Sequence, residues 1–359
     1  MKPFKPHKLP IKDLDWDKFL EHIGEANRAV AKFDGYMQSI PKARILLSPL
    51  TTKEAVLSSK IEGTQASLED VLKYEASPNK KTDKYEDIQE VLNYRKAMNM
   101  AIDKLDELPL SARLIKENHK VLMQDARGSD KTPGEFRTGP VYIGNPALGL
   151  DHASHVPPEA NEIEDLFADF ERYIHYDEKD YLVQLAIIHA QFEIIHPFWD
   201  GNGRTGRILM PLFLYYKKVL KQPMLYLSEY FETNRDEYYQ RLKAITKDND
   251  WESWILFFLV AVIKQSEKNI LKVEEVLNLY NSLKEEIVTI PTPKNAIKVL
   301  DFLFSMPIFN SPDMTKETGI QRMTALRILK YLEEVKVLSK SDTTKVNSYR
   351  FNKLVKILE

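Results

Sequence analysis

The chain has 359 residues, no cysteine and a formal net charge of −2, with 43% hydrophobic and 29% charged residues. Without cysteine there is no disulfide, no thiolate nucleophile and no Cys-based zinc site; the near-zero charge removes any global pull toward nucleic acid or anionic membrane. The length suits two or three domains with a sizeable core, and no apolar run approaches the roughly 18 residues of a membrane span.

The opening stretch, Met1-Lys2-Pro3-Phe4-Lys5-Pro6, lacks the apolar stretch of a signal peptide, so the cytoplasm is the expected compartment. Three prolines among the first fifteen residues predict an extended arm. From Trp16 to about Lys104 helices follow: Trp16, Phe19, Leu20 and Ile23 recur at helical spacing, as do Val91, Tyr94, Arg95 and Met98. Pro41 breaks one helix, and Ser77-Pro78-Asn79-Lys80-Lys81 reads as a solvated loop. Ser111 is the expected N-cap of a helix running to about Gln124.

A long irregular segment then runs from Arg127-Gly128 to Val156-Pro157-Pro158-Glu159, with Gly134, Gly139, Gly144 and Gly149 and one short strand candidate, Val141-Tyr142-Ile143. Loops of that length in compact domains are usually lids or binding loops. Helices resume near Glu159 and continue, with one interruption, to about Lys284. Trp251 and Trp254 read as core. Pro291-Thr292-Pro293 punctuates the chain. Beyond it the pattern is helix (Ala296 to Phe304), a cap and first turn at Ser311-Pro312-Asp313-Met314, a tight turn at Thr318-Gly319 and a helix from Ile320 to Val335. Two strand-like runs close the chain, around Val337-Leu338 and Tyr349-Phe351, with a hairpin tip at Ser341-Asp342-Thr343-Thr344.

The richest stretch is His196-Pro197-Phe198-Trp199-Asp200-Gly201-Asn202-Gly203-Arg204-Thr205-Gly206-Arg207, a loop between the helices Leu182 to Ile195 and Ile208 to Tyr216. Two glycines around Asn202 let backbone N–H groups approach an anion, and a helix N-terminus adds free donors and the positive end of the macrodipole. Arg204 and Arg207, three apart, suit bidentate phosphate contacts. Asp200 offers a hard oxygen for Mg²⁺ carrying substrate phosphates. His196, at the loop mouth, has the ordinary pKa of a general base. The set describes nucleotidyl or phosphoryl transfer. His189, Glu193 and His196 could also mimic a zinc face, but zinc leaves the glycines and arginines without a role, and His189 is better read as a core histidine.

The loop resembles the Fic family signature, HPFxDGNGRxxR, at every fixed position. The resemblance implies a mainly helical, all-α fold with a short β-hairpin flap, and transfer of AMP from ATP to a Ser, Thr or Tyr hydroxyl of a target protein. It assigns His196 as base, Asp200 as the Mg²⁺ ligand, Gly201, Asn202 and Gly203 as phosphate cradle, and Arg204 and Arg207 to the β- and γ-phosphates. Phe198 becomes a core anchor. The segment Pro133 to Gly144 resembles the family's flap, where Val141, Tyr142 and Ile143 would align the target by strand addition; the hairpin itself could extend through Gly149 to Val156. Ser58-Ser59-Lys60-Ile61-Glu62-Gly63 resembles the family's inhibitory motif, (S/T)xxxE(G/N): a helix ended by Gly63, with Glu62 pairing Arg207 in the space of the γ-phosphate, and Ser67 capping the next helix. Ser228 to Tyr239 is also similar to multi-domain relatives; Tyr239 is the candidate to face an adenine, against a reading of its tyrosines as core positions.

The expected domains are residues 1–105 (helical, with the inhibitory helix), 106–284 (catalytic core) and 285–359 (winged helix-turn-helix). Gln321, Arg322, Thr324 and Arg327 lie where such folds reach base edges, and from Pro312 onward ten Lys and Arg stand against six Asp and Glu. Two functions therefore stand: an enzyme whose winged unit docks targets or a second copy in a homodimer, or a DNA-binding regulator with the core as nucleotide sensor. An intact His196 and Asp200 favour the enzyme, because a sensor needs no base.

Overall fold

A computed structural model describes residues 2–40, 42, 46–79, 82–125, 130–144, 155–287, 291–341 and 348–359. Two compact units form, and both are discontinuous in sequence. The first takes Met1–Gly35, Leu57–Thr64 and Asn93–Glu267; the second takes Tyr36–Val56, Gln65–Leu92 and Lys268–Glu359. The division read from sequence follows chain order; these units do not. The helices are α1 (Leu20–Gln38), α2 (Ser48–Ile61), α3 (Leu68–Ala76), α4 (Tyr85–Leu105), α5 (Ala112–Leu122), α6 (Ile163–His175), α7 (Tyr181–Ile195) and α8 (Asn202–Tyr216). After them come α9 (Ser228–Thr233), α10 (Arg235–Asp248), α11 (Trp251–Glu286), α12 (Ala296–Ser305), α13 (Ser311–Thr318), α14 (Arg322–Glu334) and α15 (Asn352–Leu358). Among the described residues no helix is long and apolar enough to cross a membrane.

The first unit is built around α7. All of its residues except Tyr181 and Glu193 are buried, which is the pattern of a helix surrounded on every side. Its start is set by Asp180, whose Oδ1 accepts from the N–H groups of Leu182 and Val183, both at 2.9 Å. Its polar side chains are partly satisfied: Gln184 donates to the carbonyls of Tyr173 and Tyr176, and His189 Nε2 meets the Tyr238 hydroxyl at 2.9 Å, while Oε1 of Gln184 and of Gln191 has no hydrogen-bond partner among the described residues. His189 is thus a core histidine. Trp254 donates to the Ala186 carbonyl at 2.8 Å and, like Trp251, is buried. The aromatic rings of Phe136, Phe167, Phe192 and Phe198 pack beside α7 at tilted or edge geometries, the arrangement ring quadrupoles favour.

The extended arm is present and pinned to this unit: Phe4 donates its N–H to the Val156 carbonyl at 2.9 Å, and Gln191 Nε2 donates to the His7 carbonyl at 2.9 Å. Two readings are corrected. Leu20 is 62% exposed, and the buried stripe of α1 is Ala26, Val30, Phe33 and Met37; Trp16–Phe19 is a 3-10 turn that rotates Leu20 outward. Between Glu159 and Lys284 the chain breaks several times rather than once. His196, Lys218 and Asn249 each adopt left-handed backbone at the breaks, a conformation that ends a helix.

In the second unit three short antiparallel strands, β1 (Ile308–Asn310), β2 (Ser339–Ser341) and β3 (Ser348–Arg350), run in the order β1-β3-β2. Phe309 faces Tyr349 across one pair and Lys340 faces Tyr349 across the other. The first strand was not read from sequence: three residues are too few for a period-2 signal. The expected hairpin tip beyond Ser341 lies outside the described residues, as do Pro41, Lys80-Lys81 and Gly149. The expected caps at Ser67 and Ser111 hold: Ser67 and Asp70 form a reciprocal capping box on α3, and Ser111 accepts from the Leu114 N–H on α5. The cap of α13 lies one residue earlier than read, where Asn310 rather than Ser311 forms a capping box with Asp313. Gly319 (φ 69°) ends α13. Phe302, Phe309, Phe304 and Phe351 make edge contacts in the core of this unit.

Candidate active site

The loop after α7 is held open by partners on its outer side. His196 ends α7 in left-handed backbone, φ 49° and ψ 62°, and Pro197 forbids a return to helix. Gly201, also left-handed at φ 74°, starts α8. Asn202, the first residue of α8, closes the loop on itself: its Oδ1 accepts from the Phe198 N–H at 2.9 Å and its Nδ2 donates to the Phe198 carbonyl at 2.8 Å. Both side-chain atoms of Asn202 are therefore used within the loop, and what it offers an anion is backbone.

His119, on α5, braces the loop from behind. It stacks on Phe198 at 3.8 Å and 6°. Its Nδ1 accepts from the Gly134 N–H at 2.9 Å, so the ring proton sits on Nε2 and is donated to the Asp200 carbonyl at 2.9 Å. Burial first, and Arg204 after it, pull His119 down to about 4 against the opposing carbonyl bond. Arg137, 2% exposed, joins the loop to the segment before it. It donates to the carbonyls of His196 (2.9 Å), Gly139 (2.9 Å) and Pro158 (2.6 Å), and accepts no role in the cavity itself. Gly139 is needed there, since a Cβ would stand 2.7 Å from the Trp199 ring.

Inside the loop lies a cavity of about 270 Å³, lined among others by Glu62, His196, Gly203, Arg207, Tyr239 and Lys243. Ile143 and His155 close one wall; they form an isolated antiparallel bridge, and His155 Nε2 meets the Ile194 carbonyl at 2.9 Å. Of the expected strand Val141-Tyr142-Ile143, Ile143 alone pairs among the described residues; Tyr142 is 46% exposed. Burial, with the neighbouring His155 and Arg137 charges, draws His196 down to about 4 in spite of Glu62. The imidazole is neutral at pH 7. Its Nδ1 faces the Glu193 carbonyl at 3.4 Å, an acceptor only, so Nε2 carries the lone pair. This is a base whose Nε2 can take up a proton while Nδ1 keeps its own.

Arg207 is 1% exposed, and its Nε and Nη2 groups are engaged. Nε donates to Ser58 Oγ at 2.8 Å, and Nη2 donates to the Ser58 carbonyl at 3.0 Å and to Glu62 Oε1 at 2.5 Å. Burial would raise Glu62, but the Arg207 charge and hydrogen bond, with Arg204 and His196, hold it below its ordinary value. Gly203 lets this carboxylate close: a Cβ there would stand 2.2 Å from Glu62 Oε1. Gly63 (φ 102°) turns the chain just after Glu62. Arg204, 4% exposed, reaches Asp200 Oδ1 at 3.7 Å and Met123 Sδ at 3.7 Å. Asp200 also takes the Gly201 N–H at 2.6 Å and stands 3.5 Å from Lys131 Nζ. Among the described residues no group of three or more His, Asp and Glu could hold a metal alone. One carboxylate at the loop mouth fits a hard cation whose other ligands are waters and substrate oxygens.

The structure thus gathers His196, Gly203, Arg207, Glu62, Ile143 and Tyr239 around one cavity, with Ser58 behind Arg207 and Asp200, Gly201, Asn202 and Arg204 forming its loop. Tyr238, not Tyr239, is the core tyrosine. Three residues were missed by sequence reasoning, His119, Arg137 and His155, and Glu193 was weighed only as part of a zinc face. Glu193 lines the cavity, and burial, with help from Glu62 and against Arg207, pushes it up to about 8. Arg137 lay inside the segment Pro133 to Gly144; His119 and His155 sit at positions that local spacing reads as ordinary helix or loop.

The chain is similar to known proteins. The Fic/DOC family N-terminal model matches residues 20–103 and the Fic/DOC family model residues 109–214. The protein adenylyltransferase Fic of Drosophila yakuba is 32% identical over 127 residues, 34% of this chain and 22% of that protein. Its Drosophila melanogaster counterpart is 37% identical over 84 residues, 23% and 15% respectively. The chain thus matches less than a quarter of the length of these relatives. Among solved structures, a Fic family protein from Desulfovibrio desulfuricans G20 superposes with a TM-score of 0.61 at 20% identity, covering 98% of both chains. Fic-1 (residues 134–508) from C. elegans gives 0.53 at 21% identity over 72% and 73%. These likenesses are of fold.

Proposed function

The chain belongs to the Fic/DOC family, and from that premise we propose that it is a protein adenylyltransferase, moving AMP from ATP to a Ser, Thr or Tyr hydroxyl of a target protein. The observation that carries the reading is the neutral His196, its Nε2 free, lining the same cavity as Arg207 and Gly203. In the reaction the target hydroxyl attacks the α-phosphorus in line. The new O–P bond forms as the bond to the β-phosphate oxygen breaks, the hydroxyl proton passes to His196 Nε2, and pyrophosphate leaves. The start of α8, with N–H groups outside the helical ladder, faces the developing negative charge. Arg204 and Arg207 steady the departing phosphates. Asp200 would hold Mg²⁺, which neutralises phosphate charge when bound. Tyr239 supplies a ring face for the base, and the Ile143–His155 bridge an edge for the target backbone.

In this reading Glu62 is a brake. It occupies Arg207, so a γ-phosphate must displace it before ATP sits productively. The second unit, with Gln321, Arg322, Met323 and Arg327 exposed on one helix or at its start, is read as a winged helix that docks a protein partner. The test compares wild type, Glu62→Gly, and Glu62→Gly with His196→Ala, each with Mg²⁺ and α-³²P-ATP. Label on protein in Glu62→Gly alone is the expected result. Equal labelling in wild type and Glu62→Gly would sink the brake, and labelling that survives His196→Ala would sink the base.

A further inference from the structure

The carbonyls at the end of α2 can be followed one at a time. A helix leaves its last four C=O groups without helical partners, and each needs another donor. The Ser59 carbonyl accepts from the N–H groups of Glu62 (3.0 Å) and Thr64 (3.2 Å), and the Lys60 carbonyl from Gly63 N–H (3.0 Å). The other two are taken by arginines. Arg207 Nη2 reaches the Ser58 carbonyl at 3.0 Å, and Arg235 Nη2 reaches the Ile61 carbonyl at 2.7 Å. Two guanidinium groups thus cap the negative end of this helix, a position that favours cations. Ile61 is the residue directly before Glu62, and Lys60 is tied to Glu232 at 2.8 Å.

The two arginines differ in what else they do. Arg207 lines the cavity and would be claimed by phosphate. Arg235, the first residue of α10, does not line it; its guanidinium lies 5.7 Å from the ring centre of Tyr239, one turn on. We infer that Arg235 is the positioning residue of the brake: by holding the Ile61 carbonyl it sets the turn that aims Glu62 at Arg207. The inference rests on the adenylyltransferase reading with Glu62 as brake. It adds a residue outside the catalytic machinery through which inhibition can be weakened alone. When phosphate takes Arg207, Arg235 is the arginine still holding the turn beside the turn's own backbone bonds, so it opposes release of Glu62 rather than the chemistry.

The test uses the full chain with Arg235→Ala, Arg235→Lys, Glu62→Gly and the double variant Glu62→Gly with Arg235→Ala. Self-labelling by α-³²P-ATP with Mg²⁺ is read beside hydrogen exchange at residues 57–64. Losing one charge-assisted bond at a helix end is expected to raise labelling about fivefold in Arg235→Ala and to speed exchange at Glu62, Gly63 and Thr64. Arg235→Lys, which keeps a cation at the carbonyl, returns most of the way to wild type. In the double variant labelling equals that of Glu62→Gly, because Arg235 acts only through Glu62. If Glu62→Gly labels strongly while Arg235→Ala matches wild type in labelling and exchange, this inference falls and the brake stands. An Arg235→Ala effect of equal size with and without Glu62 also overturns it. If Glu62→Gly gives no rise, the brake itself falls and takes this inference with it.

Discussion

At Gly201 the backbone turns through φ +74°, and a side-chain carbon there would stand 2.6 Å from Met123 Sδ and 3.3 Å from His119 Nε2. Two residues on, Gly203 has ordinary helical backbone, and a Cβ would meet only the tips of Glu62 and Arg207, the former at 2.2 Å. The two glycines therefore fail differently. Gly201→Ala strains the turn and crowds packed atoms, and is expected to cost about 1–3 kcal/mol of stability. Gly203→Ala meets the end of a flexible carboxylate, which can swing away, and alanine is the better helix former. Its melting temperature is expected near wild type. In a Glu62→Gly background, however, the added methyl stands where a phosphate must approach the backbone, and labelling is expected to fall about tenfold or more. Thermal melts and labelling of the two variants separate these outcomes; an inactive but stable Gly201→Ala would reverse the assignment.

The elements around the loop are joined by carbonyl contacts rather than by more apolar surface. Arg137 binds the end of α7 at His196 to the segments at Gly139 and Pro158, and its own N–H reaches the Pro197 carbonyl at 2.9 Å. Removing the guanidinium leaves these buried acceptors without a donor, each worth about 1–3 kcal/mol. Arg137→Met keeps the apolar stem and isolates that loss. It is expected to cost at least about 3 kcal/mol, a fall of roughly 10 °C in melting temperature for a unit of this size. A change under about 2 °C in a calorimetric scan would show the junction to be held by packing instead.

For the whole molecule, buried neutral histidines set the response to acid. His119 and His196 are drawn to about 4 and His189 to about 3, in each case chiefly by burial. Their ordinary value is 6.5, so between that value and about 4 the unfolded chain binds more protons than the folded one. Stability is therefore full above pH 6.5 and declines as pH falls through that window. Glu193, pushed up to about 8, works in the opposite sense between 4.5 and 8, but it is one group against three. The net expected loss from pH 7 to pH 4.5 is a few kcal/mol. Urea melts at both pH values measure it, and His189→Gln, which can still meet the Tyr238 hydroxyl, should flatten the slope. A slope unchanged by that substitution would remove His189 from the account.

Sequence alone determined the helical class, the caps at Ser67 and Ser111, and the loop from His196 to Arg207, because each is a local matter. Capping needs a side chain two or three residues from the N–H it accepts, and the loop's glycines, base and arginines sit within twelve residues. Even Glu62 and Arg207 were legible as a pair, though through a family pattern and not through any periodicity that spans 145 residues. The tertiary structure alone decided who stands behind them. Nothing near His119 in the chain tells that its ring stacks on Phe198 and fixes the Asp200 carbonyl 81 residues later, nor that Arg235 ends a helix 174 residues before it. Nor could the first strand of the second unit, Ile308–Asn310, be read, since its pairing with β3, not its own pattern, makes it a strand. Apolar spacing records which face a helix buries; it does not record which element arrives to cover it, and that choice places every supporting group of this site.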